Sequence, residues 1–310
     1  MFRKAPVLLI SMALAASFAA AADVAPAAAK LSAAEIADRN VAARGGLQAW
    51  RAVQTMSLAG QLGAGGNQRP SLPVPNPGPG TSVSASAVAG RRPSPRALPA
   101  PLRPAEEVQL PFLMELARPR KMRFELQFNG QTAVQVFDGA NGWKLRPFLG
   151  RRVVEPYTND ETKTASMQAD LDGPLVDYAA KGTSIELAGM DKVEDRDTYK
   201  LKLTMKNGGV IHVWVDAQTF LEAKIEGQPR RLDGTDHPVE VYFRDYRPVN
   251  GLQIPFVLET KVLPVGRTAL GFKDPPVPAE KTIIDKVTVN PKLDASLFSK
   301  PEVAVVSDAR

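Results

Sequence analysis

The stretch Thr198–Glu226 constrains this chain more than any other. Tyr199, Leu201, Leu203 and Met205 alternate with Lys200, Lys202, Thr204 and Lys206. That period of two sets an apolar row on one face and a polar row on the other. Asn207-Gly208-Gly209 comes next, and Asn and Gly tolerate the positive φ that tight hairpins need. Val210–Val215 is β-branched and aromatic and predicts the returning strand. Asp216-Ala217-Gln218-Thr219 predicts another turn, and Phe220–Glu226 a third strand. The segment is an antiparallel meander, and its pattern recurs along most of the chain.

Val53–Leu62 predicts a first strand, with Met56, Leu58 and Gly60 on one side. Val108–Ala117 predicts the next, and Arg118-Pro119-Arg120 turns it. Met122, Phe124, Leu126 and Phe128 form an apolar row, Asn129-Gly130 signals a hairpin, and Gln131–Phe137 returns. Asp138-Gly139 turns again, and Asn141-Gly142-Trp143 opens a strand to Phe148. Thr183–Val193, Val239–Tyr246, Leu252–Leu263 and Lys281–Val289 complete the strands. The last places Ile283, Asp285, Val287 and Val289 on one face.

Two helical segments interrupt this grammar. Leu31–Ala43 carries a capping box, Ser32 with Glu35 three residues on, and Gly45-Gly46 stops it. Leu47–Ala52 predicts a short turn of helix with Trp50 packed inward. Thr158–Ala180 predicts a second helical segment, capped by Asn159 or Asp160 and split at Gly173-Pro174. Met167, Leu171, Leu175 and Tyr178 recur at helical spacing and share a face.

The chain opens with Arg3 and Lys4, an apolar run Val7–Leu14, and small residues up to Ala22. This is the pattern of a cleaved secretory leader over 1–22; a membrane anchor is the other reading, and the run is short for it. Cysteine is absent, which removes disulfides, thiol nucleophiles and lipid attachment to a leader Cys. The formal charge is +6. Two of those charges leave with Arg3 and Lys4, and five more are the arginines of 67–104, so the remaining body carries −1. A nucleic-acid protein needs a basic footprint on its folded surface, so no nucleic-acid partner is expected. Ten of the 27 prolines lie between Pro70 and Pro104. Residues 63–107 therefore read as a Pro/Gly/Arg-rich flexible insertion within a single domain over 23–300, followed by a loose tail at 301–310. The insertion is either a solvated loop or a basic arm for a membrane surface or an envelope protein.

The chemistry of catalysis is not spelled out. The chain has no G-x-S-x-G elbow, Walker A loop or H-E-x-x-H pair. Its two histidines, His212 and His237, stand apart, so no metal site is expected. Asp170/Asp172 and Asp195/Asp197 flank a helix and turns and read as solvated caps. No enzyme, catalytic residue or cofactor is expected.

Several stretches carry a family resemblance. They are Ala43-Arg44-Gly45-Gly46-Leu47 with Trp50, Asp138-Gly139 with Gly142-Trp143, and Tyr199–Leu203. Further along come Trp214-Val215-Asp216, Thr219-Phe220-Leu221, Phe243-Arg244-Asp245-Tyr246, Val249–Pro255 and Leu293–Phe298. As a set they resemble bacterial periplasmic outer-membrane lipoprotein-sorting proteins, relatives of the LolA/LolB lipoprotein carriers. The resemblance implies a mainly β fold, an incompletely closed antiparallel barrel with helices on its concave face, and a hollow for acyl chains. The Pro/Arg insertion is foreign to those carriers, and fold likeness alone does not transfer their task.

The expected partner is a lipid acyl chain or a lipoprotein, bound in the periplasm. A lipid-sensing or protein-interaction module of the same fold is the alternative. Strand alternation nominates Phe124, Leu126, Phe128, Val134, Val136, Leu201, Leu203, Trp214 and Phe243 as lining, with Met167 and Leu171 on the covering helices. The same pattern also suits a filled core, and Trp214, between Val213 and Val215, also suits an outward position.

Overall fold

The computed structural model describes residues 31–65, 107–147, 151–232, 234–266 and 277–302. The expected leader, nearly all of the 63–107 insertion, Phe148 and most of the 301–310 tail lie outside the described residues.

Three helices accompany the described strands. They are α1 (Ala33–Ala43), α2 (Leu47–Ala52) and α3 (Asn159–Gln168). The strands before α3 are β1 (Thr55–Gly65), β2 (Glu107–Ala117), β3 (Lys121–Phe128), β4 (Gln131–Phe137), β5 (Gly142–Arg146) and β6 (Arg151–Pro156). After it come β7 (Ser184–Val193), β8 (Arg196–Thr204), β9 (Val210–Asp216), β10 (Glu222–Leu232), β11 (Thr235–Val249), β12 (Leu252–Val262) and β13 (Glu280–Val289). They form one antiparallel sheet in the order β6-β5-β4-β3-β2-β1-β13-β12-β11-β10-β9-β8-β7. Its ends, β6 and β7, do not pair with each other, so the barrel is not closed.

Hairpin chemistry sets the register. Asn129 and Gly130 both have positive φ (49° and 71°), and Phe128 faces Gln131 across them. Asn250 and Gly251 (49° and 81°) do the same for Val249 and Leu252. At the β9–β10 turn the Asp216 carboxylate accepts from the backbone amides of Gln218 and Thr219, both at 2.9 Å.

The sheet curls strongly, and α3 measures by how much. Seven strands separate β5 from β10 in the sheet order. At the usual spacing a flat sheet would hold them about 38 Å apart. Yet Lys144 on β5 bonds Glu161 on α3 at 2.5 Å, and Gln228 on β10 donates to the Met167 sulfur at 2.8 Å. Glu161 and Met167 lie only about 9 Å apart along the helix axis. The two flanks of the sheet therefore approach each other across the concave side, with α3 between them.

All three helices and the segment after α3 serve that concave face. Val41, Trp50, Val53, Ala165, Ala169, Leu171 and Val176 pack with Met56, Leu116, Met122, Phe137, Leu252, Ile254 and Ile284 of the strands. The capping box is present, Ser32 Oγ accepting from the Glu35 amide at 3.2 Å while Glu35 accepts from the Ser32 amide at 2.8 Å.

Three details differ from the sequence reading. The second helical segment ends at Gln168, and its cap is Thr158 rather than Asn159 or Asp160. Beyond it the chain runs in turns held by Lys181, so Met167, Leu171, Leu175 and Tyr178 do not share a helical face. On β13 the register slips opposite Ala59/Gly60, so Ile284, Val287 and Val289 carry the apolar contacts while Ile283 is exposed.

Candidate functional site

The concave face has a filled end and a half-open end, and burial grades between them along each central strand. On β3, Met122 is buried, whereas Phe124, Leu126 and Phe128 are half-buried. On β1, Met56 is buried while Leu58 and Leu62 are half-buried. On β12, Leu252, Ile254 and Phe256 are buried and Leu258 is half-buried. Leu58, Leu62, Met114, Phe124, Leu126 and Leu258 pack against the core cluster without being enclosed by it. Phe112 and Phe124 stack there, with ring centroids 5.8 Å apart. The result is an apolar shelf on β1, β2, β3 and β12, beyond the helices.

Register decides which expected lining residues belong to it. Phe243 pairs with Leu258 and so lies on the concave face, half-buried. Val241 is on the same side of β11 and continues through Ile225 and Val213 to Leu201. Leu201 and Leu203 are therefore concave as well, but both are 0% exposed. Leu171 is buried in the core cluster, and Met167 is half-buried beside Gln228. These four belong to packed parts of the face.

Val134, Val136 and Trp214 fall on the opposite, convex face, which corrects the lining nominated from sequence. Val134 and Val136 pair with Glu125 and Arg123, the polar row of β3. The reason is hairpin parity: with Phe128 opposite Gln131, even-numbered residues of β3 face odd-numbered residues of β4. Val136 is nonetheless fully buried. The convex side near β3 is covered by a short 3-10 turn, Ala295–Phe298, whose Leu297 carbonyl accepts from Arg123 at 3.2 Å. Trp214 pairs with Lys200 and Lys224, whose ammonium groups lie 5.0 and 3.9 Å from its ring centroid. Its indole N–H donates to Asp191 at 2.8 Å. Conversely, the sequence reading did not nominate Leu58, Leu62, Met114 or Leu258. Their alternation is visible, but only the pairing β2-β1-β13-β12 puts them side by side.

A buried ionic network fastens the helical cover to the sheet. Arg44, which caps α1, donates to the Asp172 carbonyl at 2.8 Å and to Glu222 of β10 at 3.1 Å. Its guanidinium also stacks on Trp50 at 4.3 Å. Asp172 receives Arg118 at 2.6 Å and Lys181 at 2.5 Å. Burial opposes the Asp172 charge, but the hydrogen bonds from Lys181 and Arg118 outweigh it and hold this carboxyl below its usual range. For neighbouring Asp170 burial wins over Lys181, and its carboxyl is pushed up. These acids are structural fasteners rather than the solvated caps expected from sequence.

His212 meets Glu226 at 2.8 Å, and His237 is buried within β11. Among the described residues, no group of three or more His, Asp or Glu side chains gathers to hold a metal ion.

No family model matches the chain, and no curated protein matches it. Solved structures do resemble it. A LolA superfamily protein from Nitrosomonas europaea aligns with a TM-score of 0.48 and 12% identity, over 87% of this chain and 98% of its own. An outer membrane lipoprotein-sorting protein domain from Vibrio parahaemolyticus gives 0.47 and 11%, over 86% and 96%. A DUF1329 family protein from Desulfovibrio piger gives 0.47 and 12%, over 85% and 95%. At these identities and scores the likeness carries no functional argument, so the functional reading rests on the chain's own residues.

Proposed function

We propose that this protein is a periplasmic binder of lipid or lipoprotein acyl chains, acting without covalent chemistry. The observation that carries the proposal is the burial gradient on the concave face. Helices fill one end, and an apolar shelf of Leu58, Leu62, Met114, Phe124, Leu126 and Leu258 is left half-covered at the other. Such a surface suits a ligand that is long, apolar and chemically plain. Burying an acyl chain is worth about 0.8 kcal/mol per CH₂, so affinity needs area rather than special groups. The leader-like start at Arg3–Ala22 supports an envelope location. The motif resemblance to lipoprotein-sorting proteins agrees with both points.

Native mass spectrometry of the purified protein tests this. The expected result is a population carrying acyl-chain adducts, and a delipidated fraction that takes up a fluorescent fatty acid. A protein that is empty on isolation and also takes up no fatty acid would sink the proposal.

A further inference from the structure

The ladder between β2 and β3 ends before either strand does. Their pairing runs from Ala117↔Lys121 to Phe112↔Leu126 and stops there. β2 goes on beside β1 as far as Gly65↔Glu107, and β3 goes on beside β4 to Phe128↔Gln131. Between the two continuations lies a cleft of about 540 Å³, within the size range of ligand sites.

A proline accounts for the break. Arg118 donates its backbone N–H to the Gln54 carbonyl, so antiparallel alternation turns even-numbered residues of β2 toward β1 and odd-numbered ones toward β3. The next odd-numbered residue after Leu113 is Pro111, which has no N–H to give to Gln127. Beyond it, the backbone N–H and C=O of Gln109 still point into the cleft, and Gln127 offers its own pair from the other side. Among the described residues, no backbone group pairs with either of them across the gap. Gln109, Pro111 and Gln127 are all exposed.

The walls suit one kind of occupant. Val108, Leu110 and Phe128 lie on the concave side of the cleft, and Gln109, Gln127 and Thr132 on the convex side. Among the described residues, no charged side chain lines it. A strand edge that offers both N–H and C=O groups is satisfied by another strand. Apolar side chains on one flank and neutral polar ones on the other match an uncharged strand of alternating polarity.

We propose that this cleft is a peptide site, where an extended, uncharged segment of a partner protein adds to β2 beyond Pro111. The segment pairs its backbone with Gln109 and lays its apolar side chains toward Leu110 and Phe128. Peptide binding here is independent of acyl binding on the shelf.

The probe is a fluorescent, end-blocked heptapeptide of alternating valine and threonine, titrated into the full chain. Saturable binding is expected. Gln109→Pro is expected to weaken it at least about fivefold, the size of one hydrogen bond, and Gln109→Ala to leave it near wild type. Proline at 109 removes an N–H that faces the cleft and not β1, so its melt should stay near wild type, in a strand that already carries Pro111. An N-methylated probe, which cannot donate to the edge, is expected to lose binding to the unaltered protein. No binding in the wild type, equal binding in Gln109→Pro, or full binding of the N-methylated probe overturns the site. An equal loss in Gln109→Ala assigns the effect to the side chain and overturns strand addition. Displacement of the probe by a synthetic peptide of residues 66–106 makes the chain's own segment the occupant, and displacement by a fatty acid makes it an acyl chain; either overturns a partner's peptide.

Discussion

Gly60 shows how little freedom the sheet leaves at single positions. A Cβ there would sit 2.0 Å from the Ile283 carbonyl oxygen and 2.9 Å from the Ile284 Cα, both backbone atoms of the neighbouring strand. Backbone cannot swing aside as a side chain can, so Gly60→Ala must deform the slip between β1 and β13. We expect it to cost at least about 2 kcal/mol, read as a lower urea midpoint at unchanged slope. A midpoint equal to wild type would mean that the two strands yield there. The sequence displayed Gly60 as one more member of an alternating row; its close approach depends on β13, more than 200 residues away. The side of Trp214 is not legible in the sequence for a related reason. It sits among apolar β9 residues, Val213 and Val215, and only the pairing with Lys200 and Lys224 reveals that its face is the charged one.

At the scale of elements, local signals read well where the physics was local. The Ser32/Glu35 box, the Gly45-Gly46 stop and the Asn129-Gly130 turn all lie where their residues indicate. The end of α3 was not legible, because the apolar spacing from Met167 to Tyr178 mimics a helix that Lys181 and Arg118 hold as turns around Asp172. The anchor of α3 was hidden too. Lys144 is buried and donates to both Glu161 oxygens, across a gap of 17 residues. Burial opposes the Glu161 charge, but Lys144 and the Thr158 amide outweigh it and depress its pKa. A depressed carboxyl contributes stability above its unfolded value of 4.5 and loses it as pH falls through the folded pKa. Asp172 adds in the same sense below 3.8. Asp170 runs the other way, its raised pKa favouring the fold at low pH and losing that contribution as pH rises. Lys144→Met should therefore lower the melting temperature near pH 7, and its deficit against wild type should shrink near pH 3. A deficit equal at both pH values would show that the Lys144–Glu161 pair does not hold α3.

Across the whole molecule, one continuous concave face is divided into a packed end and a half-open apolar end, the end proposed to bind. Sequence alternation identified that face as apolar but could not divide it, since Leu203 and Leu126 look alike in their strands. The division comes from where α1, α2 and α3 land. Leu203 is fully enclosed, whereas Leu126 is half-buried on the shelf. Placing a carboxylate at each position separates the two ends in one pair of proteins. An unpaired carboxylate at Leu203 has no water to reach and should cost several kcal/mol, whereas one at Leu126 can stay hydrated. The decisive measurement is a fatty-acid titration with a parallel thermal melt of Leu126→Asp and Leu203→Asp. The expected result is that Leu203→Asp loses its cooperative melt, while Leu126→Asp melts near wild type and binds the fatty acid at least about tenfold more weakly, from the roughly 1.5–3 kcal/mol of lost apolar burial. A folded Leu126→Asp that binds the fatty acid as tightly as wild type would contradict binding at the half-open end.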